Sequence, residues 1–159
     1  MAPPDPIETF QRYLRNQGLK LTTQRERIVR RVLKITKHFS AEELFDLLRK
    51  ERSRISKATV YRTLSLLVEA RLLAEHDFEL GHKLYEKSHR DEHHDHLICV
   101  ACRAIFEFHN HEIERLQEEV AESHDFAITY HTHQIFGTCS EYHRTGRLCS
   151  RGEARMRRD

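Results

Sequence analysis

Histidine and acidic residues alternate in a short segment in the second half of the chain, His93-His94-Asp95-His96, directly before an apolar run that starts at Leu97. If this segment is extended, successive side chains point to opposite faces, so His94 and His96 share one face and His93 and Asp95 share the other. One strand can then supply ligands to two separate metal sites. Imidazoles combined with carboxylates suit borderline divalent ions such as Fe²⁺, Mn²⁺ and Zn²⁺, and affinity order alone does not choose among them.

The four cysteines predict a second kind of metal site. Cys99 and Cys102 are separated by two residues, a spacing that lets both thiolates reach one tetrahedral zinc ion. A redox pair with this spacing usually opens a helix, whereas a strand is predicted to follow here. Cys139 and Cys149 bring the set to four thiolates. Nine residues separate them, and Arg144, Gly146 and Arg147 among these predict a flexible loop, so His143 remains an alternative fourth ligand.

Charge is distributed unevenly along the chain. Residues 1–88 hold 18 Lys and Arg against 12 Asp and Glu, whereas residues 89–150 hold 5 against 11. Ten of the 13 histidines lie between His89 and His143. This division predicts a first domain, 1–88, suited to a polyanion, and a second, 89–150, suited to cations. Residues 151–159 are predicted to form a disordered basic tail.

Nothing in the sequence predicts export or a membrane span. The start of the chain lacks the basic and apolar regions of a signal peptide, and no apolar run approaches the roughly 20 residues that a span requires. We therefore expect a cytoplasmic protein with no membrane partner. Because that compartment keeps thiols reduced, the clustered cysteines and histidines indicate metal ligands in preference to disulfides.

The first half of the chain is predicted to contain four helices and a hairpin. Apolar residues recur at helical spacing in each helix, and Thr22 or Thr23, Ser40 and Ser56 are predicted N-caps, with Ser40 and Glu43 forming a capping box. Strands are expected over 72–78 and 83–86, joined by a turn that contains Gly81. This order is typical of a winged helix-turn-helix.

The exposed face of the fourth helix is predicted to enter the major groove of DNA. The side chain of Arg62 can donate to guanine or phosphate, and Ala58 and the ring of Tyr61 can pack on thymine methyls. Lys20 and Arg25 are placed for contacts with the DNA backbone or minor groove. The alternative is that these are ordinary surface residues of a basic helical domain that binds protein.

The second half is predicted to mix strands with a helix around the ligands. A strand over 104–108 carries Glu107, which could complete a metal site, and a helix begins at Asn110 or His111 with Ile113, Leu116 and Val120 facing inward. Residues 126–136 form a β-prone run that contains His131 and His133. The fold class expected for the whole chain is α+β.

Several ordered motifs together resemble the ferric uptake regulator family over nearly the whole chain. They are Gly18-Leu19-Lys20-x-Thr22-x-x-Arg25, His38-Phe39-Ser40-Ala41-Glu42-Glu43, Ala58-Thr59-Val60-Tyr61-Arg62-Thr63-Leu64, His93-His94-Asp95-His96-Leu97-Ile98-Cys99-x-x-Cys102 and Glu107-Phe108. The resemblance implies a metalloregulator with an N-terminal winged helix-turn-helix domain followed by a small α/β dimerisation domain. A homodimer, with higher oligomers open, would bind double-stranded DNA.

The same resemblance implies four sets of site residues. The regulatory metal site would comprise His38, Glu86, His94, His96 and Glu107, and a second metal site would comprise His93, Asp95, Glu114 and His131. A structural zinc site would comprise Cys99, Cys102, Cys139 and Cys149. The DNA contacts would come from Lys20, Arg25, Ala58, Thr59, Tyr61 and Arg62.

By resemblance, the protein is expected to repress metal-uptake genes at AT-rich palindromic operators, with Fe²⁺ as corepressor. Peroxide sensors of the family usually carry Asp where Glu107 stands, so Glu107 favours iron sensing. Zinc, manganese and peroxide sensing remain alternatives, since such regulators share most of the ligands.

Two readings from other classes are weighed against a regulator. A metal-dependent hydrolase needs an open coordination position and a general base nearby, but no nucleophile motif is recognisable, no small organic substrate is implied, and a DNA-binding helix has no use there. Metal buffering without DNA is disfavoured by the same helix. The sequence therefore predicts a regulator and not an enzyme.

Overall fold

The structure, a computed structural model, describes residues 5–88 and 94–150. Contacts divide the chain into two compact units, Met1–His89 and Arg90–Asp159. The proposed ligand His93 and the predicted basic tail, 151–159, lie outside the described residues. No helix in the described part of the chain is both long and apolar enough to cross a membrane.

The first unit contains four helices and a small antiparallel sheet. Its strands lie in the order β1-β3-β2, so the last strand of the unit runs between the other two. The elements follow the chain as α1 (Pro6–Asn16), α2 (Thr23–Val32), β1 (Phe39–Ser40), α3 (Ala41–Lys50), α4 (Lys57–Glu69), β2 (Leu73–His76) and β3 (Leu84–Lys87).

Side-chain caps determine where these helices begin. Thr22 caps α2 and Ser56 caps α4, each through its hydroxyl oxygen. At α3 the predicted capping box is present: the backbone N–H of Glu43 donates to Ser40 Oγ at 3.1 Å, and the backbone N–H of Ser40 donates to Glu43 Oε2 at 2.8 Å. These bonds satisfy backbone donors that the first turn of a helix leaves open.

The core of the first unit is continuous and includes residues from all four helices. Val29, Leu44 and Leu64 are among the side chains that pack together there with almost no exposure. This packing fixes the orientation of α4, because its buried side carries Val60, Leu64 and Leu67 and leaves the opposite side in solvent.

The hairpin of this unit is shorter than predicted. The strand expected over 72–78 spans only Leu73–His76, and Phe78 instead lies in the turn with its ring fully buried. Glu79 and Gly81 adopt φ angles of 56° and 85°, which extended strand does not allow. The strand ends there because the chain must turn back while it places Phe78 in the interior.

The elements named in residues 94–150 of the second unit are a three-stranded mixed sheet and two helices. Its strands lie in the order β5-β4-β6, with β4 antiparallel to β5 and parallel to β6. The elements follow the chain as β4 (Asp95–Cys99), β5 (Ile105–Phe108), α5 (His111–Glu122), β6 (Gln134–Gly137) and α6 (Ser140–Thr145).

Helix α5 begins where predicted, capped by Asn110, but its apolar side chains do not face inward in the single chain. No residue of α5 is buried, and Leu116 and Val120 are 51% and 62% exposed. The sequence pattern identified the apolar stripe of the helix correctly, but none of residues 94–150 covers it.

Two further predictions for the second unit were wrong in extent or type. The β-prone run over 126–136 forms a strand only at Gln134–Gly137, because only there does it pair with β4. The loop expected between Cys139 and Cys149 contains the helix α6. Gly146 ends that helix with a φ angle of 67°, a left-handed conformation that favours glycine.

Replacing Ser40 with Ala is expected to destabilise the first unit by about 1 kcal/mol, because the capping box loses the acceptor for the Glu43 N–H. Urea unfolding followed by circular dichroism at the helix band measures this change. Ser88→Ala, at an exposed serine just beyond β3, is the matched control and should leave the midpoint unchanged. Equal midpoints for both variants would contradict a stabilising role for the cap.

Candidate metal centres and DNA-binding face

A carboxylate held between two imidazoles lies beside the hairpin of the first unit. Glu86, on β3, places Oε1 2.6 Å from His76 Nε2 and Oε2 3.1 Å from His38 Nε2. His38 directly precedes β1, and His76 ends β2, so the pairing of both strands with β3 brings the three side chains together. The ring of His76 stacks on the buried ring of Phe78 at 5.1 Å.

Glu86 is ionised in this setting. Burial raises the pKa of its carboxyl, but the hydrogen bonds from His38 and His76 outweigh burial and hold that pKa well below its usual range. A charged carboxylate oxygen next to an imidazole nitrogen is a pair of ligands suited to a borderline divalent ion. The first unit therefore carries two of the predicted regulatory ligands, His38 and Glu86, in contact.

The second unit brings together His94 and His96, as the alternation of an extended segment predicts. Their rings lie 5.0 Å apart, and His96 is buried. Glu107, the fifth predicted regulatory ligand, pairs directly across from His96 in the antiparallel register of β4 and β5 and is exposed. The alternation of side chains and this pairing place His94, His96 and Glu107 on the same face of β4 and β5.

A different set gathers around Asp95, whose side chain is only 1% exposed. One ligand atom each from Asp95, Glu114 and His131 lies within 4.8 Å of the others. His131 Nε2 and Glu114 Oε2 are 3.2 Å apart, which places a residue of α5 against the segment before β6. The structure thus brings together three of the four residues predicted for the second site, and the fourth, His93, lies outside the described residues.

The four cysteines converge in the core of the second unit. Cys102 Sγ lies 3.7 Å from Cys139 Sγ and 3.4 Å from Cys149 Sγ, and no pair forms a disulfide. Thiolates on one tetrahedral zinc ion, each about 2.3 Å from it, are about 3.8 Å apart, so the spacing fits such an ion. His143, the alternative fourth ligand, is exposed on α6, whereas Cys149 is buried.

The cysteine environment favours at least one thiolate. Burial raises the pKa of Cys99, but backbone N–H groups, first that of Cys139 at 3.3 Å, outweigh it and lower the pKa to about 7. Burial and the neighbouring thiols raise the pKa of Cys102 to about 12. A cation among the sulfurs would offset this mutual repulsion, because metal-bound thiols are deprotonated.

The outer face of α4 is open to solvent. Ala58, Tyr61 and Arg62 are all exposed, as predicted for a helix that enters a DNA groove. The hydroxyl of Tyr61 donates to the carboxylate of Glu42 on α3, which raises the pKa of the phenol and fixes the ring. Thr59, by contrast, uses its hydroxyl within the helix, 2.9 Å from Ser56 Oγ.

The two basic residues predicted near the start of α2 differ in exposure. Lys20 is exposed. Arg25 is half-buried, and its Nη1 donates to the Lys20 carbonyl at 2.7 Å, so part of this guanidinium holds the loop before α2.

Sequence reasoning missed two histidines that contact the predicted ligands. His76 holds one oxygen of Glu86, and His133 Nδ1 lies 3.6 Å from Asp95 Oδ2. Pairing of β2 with β3 could have identified His76, since it lies two residues from Ala74, the partner of Glu86 in the register. His133 was identifiable from its position two residues after His131, on the same side of an extended chain.

Comparisons with known proteins agree on one family. A sequence model of the Ferric uptake regulator family matches residues 16–136. The Ferric uptake regulation protein of Neisseria gonorrhoeae is 39% identical over 135 residues, which cover 84% of this chain and 93% of that protein.

Solved structures give the same result. The Helicobacter pylori ferric uptake regulator, described as having three functional metal-binding sites, superposes with a TM-score of 0.80 at 30% identity, over 89% of this chain and 94% of that one. A zinc-bound manganese uptake regulator gives a TM-score of 0.61 at 37% identity, over 82% and 98%.

Cys149→Ser is expected to release zinc from the protein, because it removes a sulfur 3.4 Å from Cys102 Sγ. His143→Gln, at an exposed residue of the same segment, is the matched control and should retain one zinc per chain. Zinc content after gel filtration, measured by atomic emission, distinguishes the two. Loss of zinc from His143→Gln with retention in Cys149→Ser would reverse the assignment.

Proposed function

The chain belongs to the ferric uptake regulator family, and from that premise we propose that it is a metal-dependent transcriptional repressor with Fe²⁺ as its corepressor. As a homodimer in the cytoplasm it would bind AT-rich palindromic operators and control metal-uptake genes. Members of this family are transcription regulators and not enzymes, which removes the hydrolase alternative. The observation that carries the proposal is the half-buried Glu86 carboxylate, whose Oε2 lies 3.1 Å from His38 Nε2, in the unit that also bears the exposed face of α4.

The regulatory site would take His38 and Glu86 from the first unit and His94, His96 and Glu107 from the second. When bound, a divalent ion supplies a positive charge shared by the ligands of both units. Residues that share an ion in this way favour one arrangement of the two units over all others, so occupancy shifts the population of the protein toward that arrangement. A complete reversal from 1:99 to 99:1 needs a binding preference of about 5.5 kcal/mol.

The DNA-binding step would depend on α4 in each of two copies. Arg62 would donate to base edges or phosphates, and Ala58 and Tyr61 would pack against thymine methyls. Glu42, which holds the Tyr61 hydroxyl, keeps that ring in one orientation before DNA arrives. Lys20, Arg25 and Thr59 would add contacts at the edges of the recognition face.

Two further metal sites would serve the second unit. Cys99, Cys102, Cys139 and Cys149 would hold structural Zn²⁺, since the sulfurs of the first three lie within 4.8 Å of one another and Cys149 Sγ lies 3.4 Å from Cys102 Sγ. Asp95, Glu114 and His131, with His93, would hold a second ion of the borderline type. Mixed imidazole and carboxylate ligands also accept Mn²⁺ and Zn²⁺, so the corepressor is decided by experiment.

Dimerisation would use the apolar face that the single chain leaves open. Leu116 and Val120 lie one turn apart on α5, and Phe126 and Tyr130, in the segment that follows, are 68% and 83% exposed. Exposed apolar patches of this extent mark contact surfaces with partners. A second copy that covers them would also set the spacing between two α4 helices, as a palindromic operator requires.

Operator binding is expected to strengthen by tenfold or more when the zinc-loaded protein is titrated anaerobically with Fe²⁺, within the range of about 5 to 150-fold typical of allosteric coupling. Replacing both Tyr61 and Arg62 with Ala should abolish this metal-dependent binding. Fluorescence anisotropy with an AT-rich inverted repeat at fixed salt measures the effect. Lys50→Ala, exposed at the end of α3, is the matched control and should behave as the unmodified protein.

The same titration repeated with Mn²⁺ and Zn²⁺ tests the choice of metal. An equal response to all three ions would defeat the iron assignment and leave a regulator of another metal. Operator binding that is unchanged after chelators have removed every ion except the thiolate-bound zinc would defeat metal control as such.

Val120→Asp is expected to convert the dimer to a monomer of 19.0 kDa, because a charge on the exposed apolar face of α5 would have to be buried against the second copy. Sedimentation velocity measures the mass. Glu118→Gln, also exposed on α5, is the control that should leave the dimer intact. An unchanged mass for Val120→Asp would place the dimer contact elsewhere.

A further inference from the structure

His133 lies beside the second metal site, but no motif or family assignment includes it. Its Nδ1 is buried and lies 3.6 Å from Asp95 Oδ2. Two contacts fix the residue: the backbone N–H of His96 donates to the His133 carbonyl at 3.1 Å, and the ring of Phe108 meets its imidazole edge-on at 6.0 Å. The strand that carries Asp95 therefore also anchors His133.

The position of Nδ1 calls for an explanation. Within residues 5–88 and 94–150 this buried nitrogen makes no hydrogen bond, and a buried polar atom left in that state is costly. The distance to Asp95 Oδ2 is too long for a hydrogen bond. It is close to the separation of about 3.4 Å expected between two ligand atoms that each lie about 2.1 Å from one tetrahedral ion.

The other candidate ligands share Asp95 with His133. Asp95, Glu114 and His131 already place ligand atoms within 4.8 Å of one another. His131 and His133 are two residues apart, so an extended chain sends both imidazoles to the same side. The segment thereby offers a second imidazole to the ion that His131 would bind.

We propose that His133 is a ligand of the second metal site, through Nδ1, together with Asp95, Glu114 and His131. This inference rests on the second metal site of the proposed function and adds a residue that the proposed function does not include. His133 adds a second imidazole to the described part of this ligand set, which then offers two imidazoles and two carboxylates. An added imidazole favours Fe²⁺, Co²⁺ and Zn²⁺ over Mn²⁺, whose preferred ligands are carboxylate, carbonyl and water.

The test uses full-length, zinc-loaded protein with all other metals removed and Co²⁺ as the probe. Equilibrium dialysis measures the affinity of each Co²⁺ equivalent, and proton NMR detects the shifted imidazole N–H signals of ligating histidines. We expect His133→Leu and His133→Gln each to weaken one Co²⁺ equivalent by tenfold or more and to remove one shifted signal. His111→Leu, at an exposed histidine of the same unit, is the matched control and should change neither.

A substitution that exchanges one ligand for another separates ligation from a packing role. His133→Asp keeps a donor at this position, so it should restore binding of the weakened equivalent and raise the affinity for Mn²⁺ relative to Co²⁺ by about tenfold. A residue needed only for packing against Phe108 would not be rescued by a carboxylate. Using both His133→Leu and His133→Gln guards against a single variant that fails to fold.

The outcomes separate this inference from the proposal on which it depends. If Asp95→Asn removes a Co²⁺ equivalent but the His133 variants retain wild-type affinity, His133 is not a ligand. Weakened binding with every shifted signal retained also overturns ligation, since His133 then acts on Asp95 from outside the ligand set. If Asp95→Asn leaves both equivalents unchanged, the second metal site itself fails.

Discussion

Residues 94–150, the described part of the second unit, bury few apolar side chains. Its core cluster consists of Cys99, Cys102, Ala104 and Cys149, and helix α5 contributes no buried residue. Units of this size seldom obtain enough stability from a hydrophobic core, and they rely instead on bound metal or association. The first unit, with a continuous core from four helices, is under no such constraint. The small core of the second unit thus accounts for both its clustered candidate metal ligands and its open apolar face.

The proposed sites differ in the chemistry of their ligands, and therefore in which ions they would bind and how readily they would exchange them. Four clustered sulfurs suit zinc and leave no position open, so such a site serves stability and exchanges little. The sets around His38 and around Asp95 combine imidazole and carboxylate, which accept several divalent ions with similar geometry. If all sites used thiolates, the fold and the signal would depend on the same ion. Sulfur ligands at the core of the second unit and oxygen and nitrogen ligands elsewhere would allow the fold to persist while the proposed regulatory ion binds and dissociates.

Local chemistry made much of the fold predictable from sequence. The Ser40 and Glu43 capping box, the buried stripe of α4 and the alternation of His94 and His96 against Asp95 each depend on neighbours a few residues away, and each was confirmed. Predictions failed where distant contacts decide the outcome. The stripe of α5 is real but uncovered, and the run before β6 is extended only where β4 pairs with it. His76 and His133 were missed because their partners, Glu86 and Asp95, lie on other strands.

The contacts of Glu86 bear on the affinity that the regulatory site can reach. Both carboxylate oxygens already have imidazole neighbours, His76 at 2.6 Å and His38 at 3.1 Å. An ion that takes both Glu86 and His38 as ligands must replace the contact between them, whereas the contact with His76 can persist and orient the remaining oxygen. The ligands are thus already in position, but they contact each other. The free energy lost when the contact between His38 and Glu86 breaks reduces the free energy of metal binding. A sensor benefits from this arrangement, because an affinity below the maximum for its ligand set lets occupancy follow changes in free metal concentration.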